Sequence, residues 1–372
     1  MIDTQGDNNT HENSSAGVCT PMLDGATLST GITVPEWENE KIIASNPKYD
    51  LEERLEAYEN IIDSEIGDTT MTRARNIERE FGLRQLFLKF DGSNPTGTQK
   101  DRIAFAQAMD AMRRGFDIIT SATCGNYGVA LALAASFAGL KCVIFVPGNY
   151  QTKRRQEMID FGAEIIQVEG DYEHAVVVSC EHAEKNEIYD ANPGGANTAL
   201  QLKAYGEISN EIYDDLRDAP AVVAVPVSNG TTLAGIYKGF VSLDRRGKTS
   251  RIPRFVAGSS YGKNPIIHSF IKNASNCQDL DPQQIRETAV NEPLINWHSI
   301  DGEHALHAIR STKGWGSYTS DKLMMTYSKL LREREGLSVL PASTAGLGAL
   351  LERQKKDPLP SDRYVVMLTG RR

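Results

Sequence analysis

Cysteine is sparse in this sequence, and no two cysteines are spaced to work together. Cys19, Cys124, Cys142, Cys180 and Cys277 are scattered, with no C-x-x-C pair and no metal-ligand spacing. That argues against a disulfide framework or a zinc site and suits a reducing compartment, so a cytoplasmic location is expected. Positive charge is not in excess either: 40 Lys and Arg face 49 Asp and Glu, a net charge of −9. Binding to nucleic acid or to an anionic membrane surface is therefore not expected. The longest uncharged stretch, Ile118 to Leu140, is interrupted by Thr, Ser, Asn and Gly and does not read as a membrane span. The N-terminus has neither a basic n-region nor an apolar h-region, so no secretory signal is expected. No G-x-G-x-x-G follows an early strand, which disfavours a dinucleotide-dependent dehydrogenase, and no solenoid-type repeat is found. His304 and His307 are spaced i, i+3 but lack a third ligand, so no metal site is assigned.

What is present is a long alternation of strand and helix patterns. Apolar strands are expected at Leu86–Phe90, Ile118–Ser121, Cys142–Val146 and Glu164–Val168, with helical runs between them. Val222–Val227 is a near-continuous apolar strand, suited to burial on both faces. Further strands are expected at Arg254–Ala257, Leu337–Leu340 and Tyr364–Leu368, and residues 275–300 fit no pattern. The fold class is α/β: two lobes, each an open, mostly parallel sheet with helices on both faces, and an active site in the cleft. The expected division is a mobile N-terminal arm at 1–45, an N-terminal lobe at 46–215 and a C-terminal lobe at 216–372.

The chemistry concentrates in Ser93-Asn94-Pro95-Thr96-Gly97-Thr98-Gln99-Lys100-Asp101-Arg102. Asn94-Pro95 and Gly97 form a turn, and an amphipathic helical run begins after it. Lys100 therefore sits at a helix N-terminus, where the positive dipole end disfavours an ammonium and lowers the amine pKa. A neutral lysine is what an imine-forming enzyme needs. Two more strand-to-helix turns can meet an anion with backbone N–H groups. Thr123-Cys124-Gly125-Asn126 is one, with Cys124 a less favoured nucleophile because no histidine lies nearby in sequence. Ser228-Asn229-Gly230-Thr231-Thr232 is the other, equally readable as a helix N-cap or a phosphate cradle. Lys89, near the end of its strand, could hold a substrate anion but reads better as a solvated strand-end lysine.

The lysine segment resembles that of the pyridoxal-phosphate (PLP) enzymes of the tryptophan synthase β-subunit fold, fold type II. It is most similar to threonine synthases, whose pattern is Asn-Pro-Thr-Gly-Ser-Phe-Lys-Asp-Arg; here Thr98 stands for Ser and Gln99 for Phe. Gly67-Asp68-Thr69-Thr70-Met71 resembles the family's Gly-Asn-Thr-Pro-Leu segment. Thr123–Asn126 resembles Ser-Thr-Gly-Asn, with Cys124 replacing Thr. In the phosphate loop, Ser228, Thr231 and Thr232 depart from the family's Gly- and Asn-rich pattern, while Tyr237-Lys238-Gly239-Phe240 matches it. Leu368-Thr369-Gly370 ends the match, which spans about four-fifths of the chain.

The resemblance implies that Lys100 carries PLP as a Schiff base and is the catalytic lysine. It also implies that Asn126 meets the ring 3′-oxygen and that Ser228, Asn229, Gly230, Thr231 and Thr232 hold the phosphate. Thr369 would face the ring nitrogen, and Thr98, Thr123, Cys124 and Gly125 would bind the substrate carboxylate. A hydroxyl at the ring nitrogen suits elimination and replacement more than transamination. The implied reaction is a lyase reaction on a small amino acid, O-phosphohomoserine giving threonine and phosphate, in a homodimer. One sign points elsewhere: the family's phosphate-gripping arginine after an Asn-Pro pair is missing. Asn192-Pro193 is followed by Gly194-Gly195-Ala196-Asn197, and Lys203 is the first cation. The alternatives are β-elimination or β-replacement on another activated amino acid, of phosphoserine, serine/threonine or sulfur type, or a catalytically silent PLP-binding paralogue.

Overall fold

The computed structural model describes residues 34–123, 125–148 and 154–372. Cys124 and the first 33 residues of the expected arm lie outside that set. The strands are β1 (Met71–Arg73), β2 (Leu86–Phe90), β3 (Ile118–Ala122), β4 (Lys141–Pro147), β5 (Glu164–Val168), β6 (Tyr189–Asp190), β7 (Val222–Pro226), β8 (Arg254–Ser260), β9 (Trp315–Thr319) and β10 (Tyr364–Leu368). The helices of the first half are α1 (Val34–Ser45), α2 (Leu51–Glu65), α3 (Arg75–Phe81), α4 (Lys100–Arg113), α5 (Asn126–Ala138), α6 (Arg155–Asp160) and α7 (Tyr172–Asn186). Those of the second half are α8 (Thr198–Leu216), α9 (Thr231–Arg245), α10 (Pro265–Ile271), α11 (Gly302–Ser311), α12 (Asp321–Glu335) and α13 (Ala345–Lys356).

Among the described residues these strands form two sheets, ordered β1-β2-β10-β7-β8-β9 and β5-β4-β3-β6. Pairing is parallel throughout except for β1 on β2. The central strands β7 and β10 are buried at every position, as their unbroken apolar runs require when helices cover both faces. β1 and β2 belong to the first half of the sequence, yet they hydrogen-bond into the larger sheet beside β10. The expected boundary at residue 216 is therefore crossed by the strand that leads to Lys100.

Helix α5 is buried on nearly all sides and forms the centre of the smaller lobe. The lobes are joined where α8 packs against both α4 and α9. That crossing is close because of Gly239, where a side chain would run into the Gly206 carbonyl and Ser209 of α8. It seats the N-terminus of α9 against the cleft.

Three local expectations change. Val34–Ser45, inside the expected arm, is helical, and Ala44 at its end is fully buried. Leu337–Leu340 is not a strand: only Val339 makes a bridge, to Arg371, before Pro341 opens a 3-10 turn. The unassigned stretch 275–300 holds two short 3-10 turns, Pro282–Gln284 and Glu292–Leu294, and folds over the cleft mouth.

Candidate active site

The loops after β2, β3, β7 and β10 meet at the carboxyl ends of parallel strands, where ligands bind in open α/β sheets. Lys100 is the first residue of α4, one residue past the N-cap Gln99. Its turn is tied down from several directions. Buried Asp101 accepts hydrogen bonds from the Thr96 N–H (3.0 Å) and hydroxyl (2.7 Å). The Gln99 N–H donates to the Thr369 carbonyl at 3.0 Å, and the Arg371 guanidinium donates to the Pro95 carbonyl at 2.9 Å. The last residues of the chain therefore hold the lysine loop in place, a role no local pattern announced.

Lys100 is half-buried, with its Nζ 5.9 Å from the Tyr127 ring centroid. It makes no ion pair among the described residues. Desolvation lowers its pKa to about 8, against a smaller opposing pull from the Asp301 carboxylate. The helix-terminus expectation of a lowered pKa is thus met, with burial as the main cause.

Lys100 faces a cavity of about 110 Å³ that is also lined by Asn126, the Ser228–Thr232 loop and Thr369. Gly230 sits at φ 93°, and a side chain there would strike Ala305 and Ile266. The backbone N–H groups from Asn229 to Leu233 meet no backbone carbonyl among the described residues, leaving a cradle of free donors at the α9 N-terminus. The Thr231 hydroxyl is not part of that free set, because it donates to buried Asp301 at 2.5 Å. At the opposite end, the Ser343 and Thr369 hydroxyls lie 3.1 Å apart. Asn126, first residue of α5, has its Oδ1 bonded by the Arg154 guanidinium at 2.8 Å, so its Nδ2 donors remain for the cavity.

A second, wider cavity of about 330 Å³ adjoins the first and shares Lys100, Asn126, Ser228 and Asn229. Thr123 and Gly125 line it. Thr98 lines neither cavity: it is buried, and its hydroxyl accepts the Lys100 N–H at 3.3 Å, which makes it a helix-start contact. Lys203 is exposed and lies outside both linings. Among the described lining residues of the outer cavity, Lys100 is the only cation, facing Asp171, Glu173, Glu287 and Glu292. Burial raises the pKa of both Glu173 and Glu287.

Lys89 serves neither of the roles its sequence context suggested. It is 1% exposed and pairs with Glu211 at 2.6 Å while donating to the Thr69 carbonyl. Glu211 also accepts from Arg102 (2.5 and 3.0 Å), and Arg102 makes a two-pronged contact with buried Asp91 (2.8 and 3.0 Å). Burial alone would raise the Glu211 pKa, but Arg102 and Lys89 together bring it down to about 2.

Comparison with known proteins agrees with this geometry. The chain belongs to the pyridoxal-phosphate dependent enzyme family, whose model matches residues 62–370. The threonine synthase of Methanocaldococcus jannaschii is 29% identical over 305 residues, covering 82% of this chain and 74% of that protein. The threonine synthase of Synechocystis is 29% identical over 313 residues, covering 82% and 76%. In fold, maize serine racemase superimposes with a TM-score of 0.69 at 18% identity, covering 86% of this chain and 93% of that one. A hydrogen sulfide-producing enzyme from Fusobacterium nucleatum gives 0.65 at 24%, covering 84% and 97%. The protein is a threonine synthase-like, PLP-dependent enzyme of fold type II, with PLP as its cofactor. The inner cavity fits that group in kind: an amine of lowered pKa, an amide donor, a hydroxyl pair, and a cradle of unpaired N–H groups for a phosphate.

Proposed function

We propose that the protein is a PLP-dependent lyase that expels or replaces a substituent of an amino acid, with Lys100 as the cofactor-bearing and proton-moving residue. The observation that carries this reading is the Lys100 amine. It is unpaired among the described residues, its pKa is lowered to about 8, and it lines both cavities. When bound, PLP supplies an electron sink for negative charge developing at the substrate α-carbon. Lys100 is a base whose pKa suits taking the α-proton near neutral pH. The backbone donors of Ser228–Thr232, with the Ser228 and Thr232 hydroxyls, hold the phosphate, and Thr123 and Gly125 take the substrate carboxylate. At the Thr369–Ser343 end only hydroxyls are offered. They do not force a proton onto the ring nitrogen, which favours elimination and replacement over transamination.

For the substrate, similarity and charge point in different directions. The relatives named threonine synthase support O-phosphohomoserine. The outer cavity supports something else. A dianionic phosphate would stand among Asp171, Glu173 and Glu287, with no arginine among the described lining residues to grip it. We therefore favour β-elimination or β-replacement on an amino acid with an uncharged or cationic side chain, of serine/threonine or sulfur type. A substrate panel on the holoenzyme tests this, followed by visible absorbance, phosphate release and 2-oxoacid formation. The expected result is 2-oxoacid and ammonia, or a substituted alanine, from such amino acids. Threonine and phosphate formed from O-phosphohomoserine would overturn the substrate assignment. Failure of every amino acid to exchange its α-hydrogen with solvent would overturn the lyase itself.

A further inference from the structure

Arg154 lies outside every motif, at the N-terminus of α6, and is three-quarters buried (side chain 23% exposed). Its guanidinium joins three pieces of chain that are far apart in sequence. Nη1 donates to Asn126 Oδ1 at 2.8 Å, and Nη2 donates to the Thr96 carbonyl of the lysine loop at 2.9 Å. Nε and Nη2 also donate to the two Glu157 carboxylate oxygens at 3.0 and 2.7 Å. Glu157 is half-exposed and lines neither cavity.

An asparagine side chain can present either an acceptor or a donor, and its two ends have nearly the same shape. A guanidinium can only donate. The Arg154 bond therefore determines the orientation: Oδ1 must face Arg154, and the Nδ2 donors must be the end left toward the cavity. A ring oxygen that carries negative charge needs a donor, and an acceptor in that place would repel it. The same guanidinium holds Thr96, four residues before Lys100 in sequence, so the amide and the amine are tied to one rigid planar group.

We infer that Arg154 is a positioning residue that holds Asn126 as a hydrogen-bond donor toward the cofactor's ring oxygen and keeps it in register with the lysine loop. This rests on the PLP site described above. It adds a requirement that the family motif alone does not contain: the donor depends on a cation brought from α6.

The test is a set of four variants, R154M, R154K, N126A and the double variant R154M/N126A, each assayed for PLP affinity and for the absorption maximum of the bound cofactor. R154M is expected to weaken PLP binding on the order of tenfold, the scale of one hydrogen bond to a charged group, and to shift the maximum. R154K, which can still donate to Oδ1, is expected to recover most of both. In the N126A background, R154M is expected to add little further loss, because the two act through one bond. E157Q guards against a purely structural role, since it removes the charge of the outer partner while leaving the Asn126 bond, and it is expected to leave the spectrum unchanged. The inference is overturned if R154M keeps wild-type affinity and spectrum, if the R154M and N126A losses multiply, or if E157Q reproduces R154M. Borohydride labelling of Lys100 in each variant separates these outcomes from a failure of the PLP site itself.

Discussion

Lys89 and Lys100 stand eleven positions apart on either side of one turn, and the fold treats them in opposite ways. Lys89 is sealed at 1% exposure against Glu211, which also pairs with Arg102, itself paired with Asp91. Lys100 opens to two cavities, pairs with no carboxylate among the described residues, and is held at a pKa of about 8. A buried ammonium persists where its charge is answered, and a lysine becomes a usable base where desolvation is left largely uncompensated. The first arrangement fixes structure and the second allows chemistry. They are coupled, because Arg102, two residues past Lys100 on α4, anchors that helix in the ion network.

Separating the two lysines by mutation gives the largest expected effect. K100A is expected to lose catalysis by at least about a thousandfold, the scale of a lost proton-transfer group, with little or no loss of folding stability. Steady-state assays and denaturant melts on the same preparation check both halves. The mirror-image variant, E211Q, strands Lys89 in the interior. It is expected to cost about 3–5 kcal/mol, as breaking a buried pair does, measured by chemical denaturation. The sign with pH is set by the depressed Glu211 pKa. The stabilisation is present above the ordinary carboxylate value of 4.5 and is lost as pH falls through about 2. The gap between wild type and E211Q should therefore close in acid and stay open at neutrality.

How far the two lysines were legible in the sequence differs for a physical reason. Lys100 is announced locally: Asn94-Pro95 and Gly97 make the turn, and the helical run starts where the dipole argument needs it. The Ser228–Thr232 loop is legible in the same way, as a buried strand running into a helix N-terminus. Lys89 was misread because its partners come from elsewhere. β1 pairs across it at Met71, and Glu211 arrives on α8. Arg154, Arg371 and Asp301 were missed for the same reason, each acting through a contact more than fifty positions away. Leu337–Leu340 shows the converse: its apolar pattern allows a strand, but among the described residues no neighbouring strand is in place to receive more than the one bridge at Val339. Thr98 looked like a substrate contact from its place in the motif, yet it is buried, lines neither cavity and accepts the Lys100 N–H.

Smaller effects sharpen the contrast further. Reloading of apoenzyme with PLP requires the neutral amine, so its rate should climb with pH through about 8 and then level off. A lysine of ordinary pKa would keep climbing to about 10.5. Stopped-flow absorbance across that range distinguishes the two. The hydroxyl pair at the far end of the cavity should matter least. S343A removes one partner of Thr369 and is expected to lower turnover by about threefold to tenfold, the scale of a neutral hydrogen bond, with T369A the more severe of the two.

The most direct measurement is reduction of the holoenzyme with borohydride followed by peptide mapping of the pyridoxyl label. The label is expected on Lys100 alone, with Lys89 unlabelled in the same digest. A label on Lys89, or on any lysine other than Lys100, would contradict the assignment of the two roles.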